Sequence, residues 1–333
     1  MNISIVIPVF NEEYTIAKLL KNIAQKVKSS NEILIIYDNK NDPTINAAKK
    51  YLDRSKQKNI FLIKNSIGNM KGITNAMKTG FSRAKGETVV AIMADLSDEL
   101  EIVDLMFKKI SDGADIVCGS RYMPGGKKIG GPILKTFLSK LAGLSLHYLF
   151  KLPTHDGTNA FKMYRKQVLD KIKIESTGGF EYSLEITLKA FKKGYKITEI
   201  PTIWYDRPAG KSSFRLLRWL PKYIKTYFII LKKWSIFDIY NKWRIDAATK
   251  ISVEEHSLIL FFSLLFSVLI YLFIVFSFHF SFSVPKTTAI NWLTINRYPK
   301  QQDYYFLFSF LGFNFFSSIL FWFIWVSLKI KKH

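Results

Sequence analysis

The chain has 333 residues, room for one sizeable α/β domain and an appendage, and 48% of them are hydrophobic, as in an ordinary globular protein. A lone cysteine, Cys118, excludes an internal disulfide, and it lies in an apolar run that marks it as a core residue. The formal net charge of +23 comes without any zinc-finger, RNP-type or basic-zipper pattern, which argues against a nucleic-acid partner and for an anionic bilayer surface.

In chain order, Met1 leads directly into the apolar run Ile3 to Val9, with no basic n-region and no small-residue cleavage site, so a secretory signal peptide is not expected. That run reads as a buried strand, and Asn11 is expected to cap a helix whose apolar positions Ile16, Leu19, Leu20, Ile23 and Val27 fall on one face. Further strands are predicted at Glu32 to Tyr37, Ile60 to Ile63 and Thr88 to Ala94, with a helix from Gly72 to Ala84 before the last of them. Strands alternating with helices predict an α/β, Rossmann-like domain with a mostly parallel sheet over residues 1–214. Ligands gather at the carboxyl ends of such strands. Those ends carry three polar, acidic loops, Phe10-Asn11-Glu12-Glu13, Asp38-Asn39-Lys40-Asn41-Asp42 and Asp95-Leu96-Ser97-Asp98-Glu99.

Beyond this domain the composition changes. Over residues 215–250 basic side chains alternate with Trp219, Tyr223, Tyr227, Phe228, Trp234 and Trp243, the composition of amphipathic helices lying in a headgroup layer. Residues 251–333 read as a transmembrane hairpin, with spans at about 258–282 and 304–328. The uncharged stretches 258–278 and 304–328 are each about as long as the ~30 Å hydrocarbon layer is thick. Lys329, Lys331 and Lys332 after the second span, and the many cations before the first, predict that both ends face the cytoplasm. Lys286, Arg297 and Lys300 in the connecting loop oppose that orientation.

Six motifs follow one another through the soluble part. They are Ile-Val-Ile-Pro-Val-Phe-Asn-Glu ending at Glu12, the loop from Tyr37-Asp38 to Thr44, Gly119-Ser120-Arg121, Lys135 with Ser139, Asp156 through Lys162, and Asp206-Arg207-Pro208-Ala209-Gly210-Lys211-Ser212. As an ordered series they resemble the family 2 glycosyltransferases, in particular the branch of dolichyl-phosphate mannose synthases and bacterial polyprenyl-phosphate glycosyltransferases. The resemblance implies a GT-A catalytic domain that inverts the sugar as it moves it from a UDP- or GDP-linked nucleotide sugar to a polyprenyl phosphate. It implies Mg2+ or Mn2+ as cofactor, a catalytic domain on the cytoplasmic face of a membrane such as the bacterial inner membrane, and assembly as a homo-oligomer, possible as a tetramer. Two positions depart from the pattern. Met93-Ala94-Asp95 stands where the family has D-A-D, and Tyr37 replaces the first Asp of the second loop.

By the same resemblance Asp95 is the metal ligand, and Mg2+ commonly needs only one or two protein carboxylates. Asp98 is either an outer-shell contact or a helix cap before Leu100. Pro8, Phe10 and Glu12 flank the base and ribose, and Asp38 accepts a hydrogen bond from the base; its plainer alternative is a turn carboxylate bonding its own backbone. Arg121, Lys135, Ser139 and Arg207 grip the acceptor and donor phosphates, with Lys135 standing where Arg is usual. Lys211 and Ser212 belong to a mobile phosphate loop, unless Lys211 is one more exposed cation. Asp156 orients a basic partner or touches the sugar, or is a turn carboxylate. His147 and His155 lack metal-ligand spacing and read as structural. The competing functions are a membrane glycosyltransferase with another glycan or lipid acceptor, and an inactive membrane scaffold, suggested by Met93 and Tyr37. A processive polysaccharide synthase is not expected, because its Q-x-x-R-W motif is missing: the only Arg-Trp, Arg218-Trp219, has Arg215 three residues before it.

Overall fold

In chain order the elements are β1 (Ile3–Val9), α1 (Ile16–Lys26), β2 (Asn31–Tyr37), α2 (Pro43–Ser55), β3 (Ile60–Lys64), α3 (Ile73–Arg83), β4 (Thr88–Ala91), α4 (Val103–Ser111), β5 (Ile116–Ser120), β6 (Lys127–Ile129), α5 (Ile133–Phe150), β7 (Lys162–Arg165), α6 (Lys166–Lys171), α7 (Glu181–Lys192), β8 (Ile197–Pro201) and β9 (Ile203–Tyr205). This computed structural model describes residues 2–67, 72–177, 179–207, 222–223 and 225–227. Seven strands form one sheet in the order β3-β2-β1-β4-β7-β5-β8, and β6 pairs with β9 in a separate two-stranded ribbon. All pairings in the large sheet are parallel except those of β7, which runs antiparallel to both β4 and β5. The expected mostly parallel α/β sheet is therefore present.

β1, β2, β4 and β5 are buried on both faces, and β1 and β2 accordingly read as nearly continuous apolar runs. Alternation along β1 sends Ile3, Ile5 and Ile7 into one core with Leu19, Leu20 and Ile23 of α1, while Val6 points into the other with Met77 and Phe81 of α3. Each such aliphatic side chain contributes about 1.5–3 kcal/mol by leaving water. Cys118 is fully buried in β5 as expected, and burial pushes its thiol up to about 11.

Three expectations are corrected. Asn11 does not cap α1: it has a positive φ of 55°, its N–H donates to the Asp42 carboxylate, and the helix begins only at Ile16, with Thr15 at the cap position. The fourth strand stops at Ala91 instead of Ala94, because the chain turns there into the Asp95 loop. Tyr223 and Tyr227, assigned above to a headgroup layer, pack against the globular core, with the Tyr227 hydroxyl donating to Ser145 Oγ at 2.8 Å. The predicted spans at 258–282 and 304–328, like most of 215–250, lie outside the described residues. Among the described residues no helix is long and apolar enough to cross a membrane.

Candidate active site

The three acidic loops lie at the carboxyl ends of β1, β2 and β4, where the parallel sheet opens. Asp42 caps α2 by accepting from Thr44 N–H at 2.9 Å and also holds Asn11 N–H, while Thr44 Oγ1 accepts from Glu12 N–H at 2.8 Å. The Phe10-to-Glu12 loop is thereby pinned to the start of α2. Pro8 lies within β1, and Phe10 is exposed at the mouth. Asp38 does not bond its own turn: its carboxylate accepts from Asn65 Nδ2 at 2.8 Å and Gly72 N–H at 2.9 Å, tying the end of β3 to the start of α3.

Next to this end, Asp95 accepts from Ser97 Oγ at 2.6 Å through Oδ1 and from Arg207 Nη2 at 2.9 Å through Oδ2. Arg207 also approaches Glu12 at 3.6 Å. Burial raises the Glu12 carboxyl, and the Arg207 charge opposes that shift. Asp98 is not a helix cap: Glu99 occupies the cap position of the short 3-10 turn Leu100–Ile102, and Asp98 Oδ2 accepts from Met93 N–H at 3.0 Å. Burial and then the neighbouring Asp95 charge push the Asp98 carboxyl up to about 7.

A cationic wall stands beside these acids. Arg121 Nε and Nη2 donate to the two oxygens of Asp156 at 2.6 and 2.9 Å, and Arg121 N–H donates to the same carboxylate at 3.1 Å. Asp156 is 0% exposed, so it is no turn carboxylate but the buried clamp that aims the guanidinium. Burial alone would raise its carboxyl, but the Arg121 charge and hydrogen bonds hold it below the usual range. The close approach needs glycine at two places. A Cβ on Gly143 of α5 would lie 2.3 Å from His155 O, next to Asp156, and one on Gly126 would lie 2.3 Å from Ser120 O. Lys162, buried in β7, donates to Gly157 O at 2.8 Å and Ser183 Oγ at 2.9 Å, fastening the Asp156 loop to α7.

Ser139 Oγ is hydrogen-bonded to the Tyr122 hydroxyl, and the Tyr122 ring lies under the Arg121 guanidinium. Lys135 is in the first turn of α5. Sequence reasoning missed Lys128, which donates to Thr136 Oγ1 at 2.7 Å and stands over the Trp204 ring. Burial, then the charge of Arg121, brings the Lys128 ammonium down to about 8, with Lys135 a further contributor. The missed signal was the Lys127-Lys128 pair that follows Gly125-Gly126, just beyond the Gly119-Ser120-Arg121 motif. His147 and His155 are structural as expected: their rings stack at 3.7 Å, and His155 Nδ1 pairs with Glu199 at 2.6 Å. Lys211 and Ser212 lie outside the described residues.

Residues 4–173 match the model of glycosyl transferase family 2. The chain belongs to that family. This glycosyltransferase is 28% identical over 269 residues, 79% of its own length and 73% of the relative's, to a dolichol-phosphate mannosyltransferase of Pyrococcus furiosus. It is 29% identical over 145 residues, 43% of its length and 53% of the relative's, to a polyprenol monophosphomannose synthase of Mycolicibacterium smegmatis. Among solved structures, the glucosyl-3-phosphoglycerate synthase of Mycobacterium tuberculosis, in complex with Mn2+, UDP and glucosyl-3-phosphoglycerate, aligns at a TM-score of 0.52 and 17% identity, covering 69% of this chain and 79% of that one. That likeness establishes the α/β GT-A fold of the glycosyltransferase.

The acidic end fits a divalent cation of the hard, oxygen-seeking kind. Asp95 supplies a carboxylate, Ser97 a hydroxyl beside it and Asp98 a second carboxyl nearby, whereas among the described residues no three His, Cys, Asp or Glu side chains gather into a ready-made cage. Such sparse protein ligation suits Mg2+ or Mn2+, which accept phosphate oxygens and waters in their remaining positions.

Proposed function

We propose that this glycosyltransferase moves a sugar, mannose by analogy with the names of its relatives, from a GDP- or UDP-linked donor onto a polyprenyl phosphate, inverting the anomeric carbon. The observation that carries this reading is the clamp of Arg121 by the buried Asp156, set beside Lys128 and Lys135 and next to the Asp95 end. A phosphate acceptor is already anionic near neutral pH, so it needs positioning and positive charge instead of a general base. A guanidinium held in plane by a carboxylate presents its remaining N–H groups in fixed directions, and an anion among Arg121, Lys128 and Lys135 relieves the crowding of their charges.

The acceptor is also amphiphilic, and the same region shows a matching surface. At the start of α5, Ile133 is 87% exposed and Leu134 60%, flanking Lys135, with Phe137 half-exposed one turn on. Apolar side chains around a cation suit a prenyl chain behind its phosphate, and they support placing this face toward a bilayer, with residues 215–250 and the hairpin 251–333 as the anchor and the catalytic domain on the cytoplasmic side.

At the donor end, Asp38 and the Phe10-to-Glu12 loop take the nucleoside. Asp95 with Ser97 and Asp98 would hold the divalent cation, which when bound neutralises charge growing on the leaving diphosphate. The acceptor phosphate oxygen attacks the anomeric carbon from the face opposite that leaving group; the new carbon–oxygen bond forms as the bond to the diphosphate breaks, and the electron pair leaves with the nucleotide. Arg207, on the chain that leaves β9 and bonded to Asp95, would serve the negative charge that passes from acceptor phosphate to leaving diphosphate. The test is a screen of nucleotide sugars against short polyprenyl phosphates in detergent, read by the mass of the lipid product. Lipid-linked hexose is expected, and sugar found only on another glycan or lipid would replace this reading.

A further inference from the structure

Glu181 and Tyr182, at the start of α7, take no part in the chemistry above, yet they hold the only buried orphan polar atoms in that helix among the described residues. Glu181 is 2% exposed and Tyr182 fully buried. Glu181 Oε1 accepts from Gly179 N–H at 3.2 Å, whereas Glu181 Oε2 and the Tyr182 hydroxyl have no hydrogen-bond partner among the described residues. A buried carboxylate oxygen without a donor is costly unless a ligand supplies one.

Its neighbours locate it in the fold. On one side Gly179 O accepts from Thr74 Oγ1 at 2.6 Å, in the first turn of α3, and that helix is preceded by its cap residue Gly72, whose N–H is held by Asp38 at the proposed nucleoside end. On the other side is Tyr223: burial raises its phenol, and the next influences are the charges of Glu181, then Arg121 and Asp156 at the acceptor end. The Tyr182 hydroxyl in turn lies within electrostatic reach of Tyr223 and Asp98. Glu181 is thus tied through Gly179 and Thr74 to the helix start that Asp38 holds, with Tyr223 beside it, and on the donor reading this is the stretch in which the donor's sugar would lie.

We propose that Glu181 Oε2 accepts a hydrogen bond from a hydroxyl of the donor sugar and so helps to select it, with the Tyr182 hydroxyl as the adjoining polar contact. The proposal rests on the donor reading given above. A carboxylate suits this role because it takes hydroxyl protons in charge-assisted bonds, while a sugar lacking the hydroxyl leaves the oxygen orphaned.

Binding of GDP-mannose, UDP-glucose, GDP and UDP to the full chain in detergent, measured by calorimetry without acceptor, tests it. Glu181→Gln keeps the shape but replaces the charged acceptor, and it is expected to weaken the preferred nucleotide sugar about 10- to 100-fold while leaving the matching nucleotide within about twofold. Independently of any variant, one mono-deoxy form of that sugar donor is expected to bind the wild-type protein more weakly by a similar factor, and to lose nothing further in Glu181→Gln. Equal losses for nucleotide and nucleotide sugar, or no loss for any deoxy donor, overturn the assignment. If the wild-type protein binds neither nucleotide sugar, the donor reading fails together with it; if it binds one normally and Glu181→Gln does the same, only the role of Glu181 falls.

Discussion

Arg207 Nη2 lies 2.9 Å from Asp95 Oδ2, so the cation assigned to phosphate is bonded to the carboxylate assigned to metal. A divalent ion held as proposed would compete with this guanidinium for one oxygen. Arg207→Ala is therefore expected to raise the affinity for Mn2+ in the absence of nucleotide by about fivefold, the size of a partly exposed ion pair, while lowering transfer about 100-fold. Mn2+ titration by electron paramagnetic resonance reads the first effect; unchanged Mn2+ affinity would show that the pair does not guard the site.

Asp95→Asn retains an oxygen for Ser97 but loses the charge that both Arg207 and a metal require. Transfer is expected to fall by at least about 100-fold with the thermal midpoint little changed. Near-normal turnover of the purified variant removes Asp95 from the metal site.

Asp156→Asn leaves the Arg121 guanidinium buried against a neutral amide. Breaking such a pair from one side costs about 3–5 kcal/mol, so the urea midpoint should drop markedly. Arg121→Met combined with Asp156→Asn should recover part of that stability while still failing to use the acceptor. A double variant as unstable as the single one would mean that the clamp is held by something other than charge.

Asp98 supplies a pH signature. Its folded carboxyl is raised from 3.8 to about 7, so the folded protein keeps a proton that the unfolded chain releases. Stability from this group is complete below the unfolded value and is lost as pH rises through about 7. Asp98→Asn can still accept from Met93 N–H, and it should be more stable than wild type by about 1–3 kcal/mol at pH 8 but similar near pH 4, in buffer with chelator. Parallel stability curves for the two proteins across that range would count against the buried proton.

The exposed start of α5 makes a prediction of a different kind. Ile133→Ser with Leu134→Ser should raise KM about tenfold or more for a long-chain polyprenyl phosphate and hardly at all for a two-isoprene analogue. Equal effects on both would mean that the chain lies elsewhere.

Much of this is legible in the amino-acid sequence. β1, β2 and β3 are continuous apolar runs bounded by polar loops, and Arg121 with Asp156 was marked by motifs of fixed order. Three things were hidden, each for a physical reason. Asn11 looks like a cap, but the donor-and-acceptor bookkeeping of its loop closes on Asp42, 31 residues away, which local pattern cannot show. β7 has the sequence Lys-Met-Tyr-Arg, and its lysine is buried only because Gly157 O and Ser183 meet it in space. Lys128 is one cation among 49 Lys and Arg residues, and its significance comes from the strand pairing that sets it over Trp204.

That pairing has a mechanical consequence. β6 and β9 run side by side, with Lys128 aligned to Trp204 and Asp206 N–H donating to Ile129 O at 2.9 Å, while Glu99 holds Ile203 N–H at 2.6 Å. Lys128 and Arg207 therefore ride on one ribbon hinged to the Asp95 loop, like two prongs on one handle. On the proposed reading, an acceptor phosphate that drew one prong would also load the other prong's bond to Asp95, a coupling that runs through the ribbon alone and asks no helix to shift.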